Sequence, residues 1–173
     1  MRSFSNFSIS PYTMVTLTIT EKIQKAKIKS LLNKPFFAYL LTNCPIIDMT
    51  GKLPMPTMAT DIKGRIYYDA KYVESLTENQ LQGVLFHEIM HQALLHLIRK
   101  GSREDHIWNV ACDLVVNSML NKNGIELPSE TLLPNYDGDY QFDNGQVIKK
   151  VHEKTAEEIY DEIQSNQKLK KEL

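Results

Sequence analysis

Between Leu81 and Ile98 almost every position is apolar: Leu81, Val84, Leu85, Phe86, Ile89, Met90, Ala93, Leu94, Leu95, Leu97 and Ile98. A helix that is apolar nearly all round belongs in a core. Yet this stretch also carries His87, Glu88 and His91, in the spacing H-E-x-x-H. Three such groups in a core helix cost several kcal/mol unless they are paired or bound to a metal, so ~2–7 kcal/mol per unsatisfied group must be offset. The ends of the segment are marked. Thr77 and Gln80 match a T-x-x-Q capping box at the start, and Arg99, Lys100 and Gly101 supply a basic last turn and a glycine stop.

On a helix, residues four apart lie about 40° apart on one face, so the two imidazoles can reach one ion. Glu88 projects about 100° from His87, in reach of a water at the ion without ligating it. A tetrahedral catalytic zinc needs a third protein ligand and an open position. The next predicted helix, capped by Ser102 or Asp105 and running to about Asn121, provides the candidate. Asn109, Asp113 and Asn117 form one polar stripe on it. Its apolar side carries Ile107, Val110, Ala111, Leu114, Val115 and Met119. Asp113 is the expected third ligand, and Asn109 and Asn117 are expected to orient ligands from one turn either side. His96 is the rival ligand. On a continuous helix it lies about 180° from His87. Its spacing also misses the longer H-E-x-x-H-x-x-G-x-x-H pattern, which would put histidine at Leu97 and glycine at Leu94. A packed or hydrogen-bonded role is expected for His96.

These residues carry a resemblance. His87 to His91, then His96 and Arg99, then Trp108-Asn109-x-Ala111-x-Asp113-x-x-x-Asn117 resemble a metallopeptidase domain of bacterial and phage proteins, often fused to a von Willebrand A-like domain. The likeness extends upstream through Thr57–Asp61 and Ile66–Tyr68, and more faintly downstream to Thr155–Tyr160. The wider layout is similar to gluzincins, which place a third carboxylate ligand on the following helix. That ligand is usually glutamate. An aspartate is one methylene shorter, so the second helix must come closer. The resemblance implies a zincin-like α+β fold, mostly helical, with a short hairpin or small sheet beside the active-site helix.

With 173 residues, one domain is expected over residues 18–173, preceded by a flexible arm over 1–17. Met14 is a candidate start, because Val15 onward reads as ordered sequence. The formal net charge of −1 argues against electrostatic capture of nucleic acid or anionic membrane. It also disfavours a DNA-associated protease, which would need a basic patch. No apolar run approaches the ~20 residues of a membrane span. Two cysteines, Cys44 and Cys112, make no disulfide framework, and a cytoplasmic setting is expected.

Along the chain, Thr18–Leu32 reads as an amphipathic helix with Thr20 as N-cap and Ile23, Ala26, Ile28, Leu31 and Leu32 inward. The run Phe36–Leu41 suits a short helix or a strand. Asn43–Pro56, with its prolines and glycine, reads as loop. Thr57–Thr60 and Arg65–Tyr68, around Asp61-Ile62-Lys63-Gly64, predict a hairpin whose exposed edge can bind extended peptide. Ala70–Ser75 is a helical turn, Ile125–Gln146 an irregular stretch bordering the cleft, and Thr155–Leu173 a terminal helix. Tyr136, Tyr140 and His152 are candidate donors to the tetrahedral intermediate.

The expected function is that of a zinc-dependent metallopeptidase. His87, His91 and Asp113 hold Zn2+, and Glu88 activates a water at the zinc to hydrolyse a peptide or protein substrate. The alternative is a zinc-stabilised binding or scaffold module without turnover, marked by a closed site with a fourth protein ligand. With no von Willebrand A-like region in the 173 residues, regulation by a separate protein partner is a further expectation.

Overall fold

The computed structural model describes residues 16–170. The arm over 1–17 and the start at Met14 lie almost entirely outside the described residues. Within them the fold is α+β, with a small sheet and a mostly helical body.

Helix α1 spans Ile19–Asn33. Its N-cap is Thr18 rather than Thr20: Thr18 and Glu21 close a capping box, which Thr20 cannot form without a partner three residues on. The buried stripe is Ile23, Ala26 and Ser30, while Ile28, Leu31 and Leu32 are exposed, correcting the predicted inward face. Ser30 is buried because its hydroxyl donates to the Ala26 carbonyl and accepts from Gln82 of the central helix. The run after Pro35 is helical, α2 over Pro35–Thr42, with proline in its tolerated place at the first turn.

The predicted hairpin is present as β2 (Met58–Thr60) and β3 (Ile66–Tyr68), antiparallel, with Met58 opposite Tyr68 and Thr60 opposite Ile66. Asp61 holds the turn. Its carboxylate accepts from the Lys63 and Arg65 backbone, the Arg65 guanidinium and the Tyr67 hydroxyl. Gly64 takes φ +75°, where a side chain would be strained. The segment read as loop contains a third strand, β1 (Ile46–Asp48), parallel to β3. The order is β1-β3-β2, so β2 is an edge. A three-residue strand is too short to show a period, which is why the sequence conceals it.

Helix α3 (Ala70–Ser75) follows, N-capped by Asp69. Then comes the central helix α4 (Glu78–Ala93), started by the Thr77/Gln80 capping box as expected. The apolar run does not continue as one helix to Ile98. α4 ends at Ala93, Leu95 adopts φ 55° and ψ 32°, and a separate turn of helix, α5, covers His96–Arg99. A left-handed leucine costs ~1–2 kcal/mol. Two bonds hold the break: the Arg99 guanidinium donates to the Leu94 carbonyl at 2.8 Å, and the Trp108 indole donates to the His96 carbonyl at 2.9 Å. Leu95, Leu97 and Ile98 are exposed accordingly.

Helix α6 (Asp105–Lys122) is the divider. Its N-cap is Glu104, not Ser102 or Asp105, and no side chain caps it; instead the Glu104 N–H donates to the Tyr160 hydroxyl. Val116 and Leu120 pack into a core with α1, α2, the sheet and α4. Ile107, Val110, Ala111, Leu114 and Val115 pack into a second core with the C-terminal elements. Met119, predicted inward, is 39% exposed. The stretch read as irregular contains β4 (Tyr140–Gln141), paired with β5 (Val147–Ile148). The terminal helix is interrupted at Asn166, giving α7 (Ala156–Ser165) and α8 (Gln167–Lys170). No helix among the described residues is long and apolar enough to cross a membrane.

Gly83, mid-helix in α4, lets the chain leaving α6 pass directly overhead. A Cβ there would sit 2.0 Å from the Glu126 carbonyl oxygen. Replacing glycine by alanine inside a helix is normally favourable by ~1 kcal/mol. Here Gly83→Ala is expected to destabilise by ~1–3 kcal/mol through overpacking. Thermal unfolding checks this, and a raised midpoint would contradict the packing described.

Candidate metal centre

The two middle helices meet on faces that mix polar and apolar residues. From α4 come His87 and His91; from α6 come Asp113, Val116, Asn117 and Leu120, spaced i, i+3, i+4 and i+7 along one side. The imidazole nitrogens His87 Nε2 and His91 Nε2 lie 2.9 Å apart. Asp113 Oδ1 stands 3.5 Å from the first and 3.2 Å from the second. One ligand atom from each of the three residues falls within 4.8 Å of the others. A tetrahedron with ~2.0 Å metal–nitrogen bonds has edges of ~3.3 Å. The observed triangle therefore has the size and donor chemistry to hold a divalent cation. The short aspartate reaches because α6 lies close.

The lone pairs point the right way. Asn117 Nδ2 donates to the Leu132 carbonyl at 3.1 Å, which leaves its Oδ1 toward His87. That oxygen, 2.8 Å from His87 Nδ1, can only accept, so the ring donates through Nδ1 and presents Nε2 to the centre. His91 has a corresponding partner in His96, whose Nδ1 lies 3.2 Å from His91 Nδ1, in the packed, hydrogen-bonded role expected for it. The 180° separation predicted for His96 assumed an unbroken helix. The left-handed turn at Leu95 folds His96 back under His91, buried, hydrogen-bonded and outside the ligand cluster. The missing glycine at Leu94 was the only sequence signal, and it pointed away from a break. Asn109 is exposed in the cleft and makes no hydrogen bond to the three clustered residues.

Electrostatics follow from this burial. Desolvation pulls the His87 imidazolium down, but the Asp113 carboxylate, Glu88 and Asn117 outweigh it, and the group is pushed up to about 9. Burial would raise the Asp113 carboxyl, yet its contacts with His87 and His91 hold it well below the usual carboxylate range. Burial, helped by the neighbouring His91 and Arg99, pulls His96 down to about 4, so it is a neutral acceptor at physiological pH. Glu88 is buried and raised by desolvation.

The centre opens into a cleft of about 710 Å³, in the size range of ligand sites. One wall is the edge strand, Thr57–Thr60; the other includes Leu127, Pro128, Glu130, Thr131 and Leu132 from the segment after α6. Tyr136 is fully exposed, Tyr140 packs with the second core, and His152 packs over Gly138. None of these three predicted donors lines the cleft.

Two outcomes are expected. In chelator-treated protein at pH 7, His87 carries a proton, because its value of about 9 lies above the solution pH. Binding a divalent cation must displace it, releasing about one proton per ion. Calorimetry in buffers of different ionisation enthalpy measures this, and a buffer-independent heat would refute it. Asn117→Ala and His96→Ala, each removing the partner of a ligand ring, should weaken metal affinity by ~10–100-fold. Competition with a chromophoric chelator reads that loss directly.

Comparison with known proteins bears on the same residues. No curated protein and no solved structure matches the chain. A family described as "Putative metallopeptidase domain" matches residues 18–172, which include every element of the centre and both of its cores. The chain belongs to that family.

Proposed function

We propose that this protein is a zinc-dependent peptidase of zincin-like architecture, with His87, His91 and Asp113 as the zinc ligands. The observation that carries this reading is the convergence of two imidazole nitrogens and one carboxylate oxygen at the floor of an open cleft, with Glu88 beside them. No fourth histidine, cysteine or carboxylate joins the cluster among the described residues. Catalytic zinc sites have this composition, and closed structural sites do not.

When bound, zinc supplies Lewis acidity and brings the pKa of water towards ~7. The chain's own groups do the rest. Glu88 takes a proton from the attacking water as its oxygen bonds to the scissile carbonyl carbon. It then returns that proton to the nitrogen as the C–N bond breaks. Asn117 and His96 keep the two imidazoles in register.

The edge strand favours an extended substrate. Thr57 accepts from Asp69 and Asp61 donates to Arg65 across the hairpin. By the alternation of antiparallel ladders, the N–H and C=O of Met58 and Thr60 point outward from the edge. A peptide can pair with them as an added strand, in a mode that tolerates many sequences.

Glu88→Gln is expected to retain metal and lose cleavage of an unfolded protein substrate by ~10²–10⁴-fold. Metal analysis beside a fluorogenic casein assay tests this. Equal turnover in the variant would eliminate the mechanism. Stoichiometric zinc with no turnover in the wild type would favour a binding module.

A further inference from the structure

Peptide hydrolysis at such a centre requires a hydrogen-bond donor for the negative charge that develops on the carbonyl oxygen. The donors lining the cleft divide into engaged and free. The Thr60 hydroxyl donates to the Arg65 carbonyl, the Trp108 indole to the His96 carbonyl, Lys100 pairs with Asp105, and the Asn117 amide donates to Leu132. Among the described residues the Tyr72 hydroxyl has no hydrogen-bond partner, and it is not sealed from solvent.

Tyr72 is also well supported. It lies on α3, directly after the hairpin that forms the cleft wall. Its ring packs against the same core that holds α4. The next residue, Val73, is fully buried, and the cap residue Asp69 accepts from the Lys71 and Gly51 backbone. A phenol on so fixed a base keeps its direction with little reorganisation. We propose that Tyr72 is the residue that hydrogen-bonds the developing oxyanion of the scissile carbonyl. This assignment rests on the peptidase reading above.

The electrostatics agree. Burial pushes the Tyr72 phenol up to about 12, with Glu130 and Glu88 adding to the effect, so it keeps its proton throughout the working range. Tyr72 and Glu88 line the same cleft. Asn109, also in the cleft, is exposed on α6, and Thr131 lies on a loop, so neither shares the packed support of Tyr72.

The test uses cobalt(II)-loaded full-length protein and phenylphosphonate, a tetrahedral oxyanion, followed through the cobalt d–d spectrum. Tyr72→Phe removes one oxygen and keeps the ring. It should leave cobalt affinity unchanged and weaken phenylphosphonate binding about tenfold or more. In peptide hydrolysis kcat should fall by ~10²–10³-fold with little change in KM. Glu88→Gln should still bind the phosphonate, which separates the two roles. If Tyr72→Phe binds the phosphonate as tightly as wild type, or if Asn109→Ala or Thr131→Val shows the loss instead, the assignment is overturned. Peptide cleavage that depends on Glu88 would leave the peptidase reading standing in that case. A wild-type protein that takes up cobalt but neither binds phosphonate nor cleaves peptide overturns both.

Discussion

The fold turns on the meeting of three part-buried groups, His87, His91 and Asp113, between α4 and α6. Each helix is apolar over most of its surface, and both cores depend on their packing. The three ionisable groups stand on the faces turned toward one another. Separately, each would be a partly desolvated polar group without a partner; together they satisfy one another, and a shared cation or proton completes them. α4 and α6 are therefore constrained in register and separation by chemistry as well as shape. A one-turn slip would move Asp113 by about 5.4 Å and leave both imidazoles unpaired. The fold and the site are consequences of the same constraint.

The break after α4 shows how a local cost is absorbed nearby. Leu95 in the left-handed region is unfavourable, and it exposes itself and the apolar side chains of Leu97 and Ile98. In return the chain reverses soon enough to bring His96 beneath His91 and Arg99 onto the Leu94 carbonyl. Arg99 also pairs with Glu157 at the start of α7, which ties the break to the second core. A continuous helix would satisfy every backbone group but carry His96 away from the centre. The observed geometry exchanges helix hydrogen bonds for one between His96 and His91.

Much of this was legible in the sequence where patterns are strong and local. The capping box at Thr77 has a defined chemistry, and so does the hairpin turn at Asp61–Gly64. The site was legible as a spacing: His87 and His91 four apart, and Asp113 on a polar stripe of the next helix. What could not be read was long-range. β1 exists because Pro45 and Met49 find backbone partners on β3, twenty residues on. Ser30 is inward because Gln82 meets it, while Ile28 and Leu31 are exposed among the described residues. Tyr72 has no motif at all. Its relevance comes only from the folding of α3 against the cleft.

Helix α4 also joins the centre to the cleft wall through adjacent residues. Successive side chains on a helix diverge by about 100°. His91 turns to the clustered ligands, while Gln92 turns to the sheet and donates to the Thr60 hydroxyl of β2 at 2.5 Å. Thr60 in turn donates to the Arg65 carbonyl in the hairpin that Asp61 secures. The distance from the ligand triangle to the strand edge is thus fixed by two neighbouring positions on one rigid helix. Under the proposed peptidase reading, a substrate strand paired with β2 would be held at a set offset from His91, which would bring a peptide carbonyl to the centre.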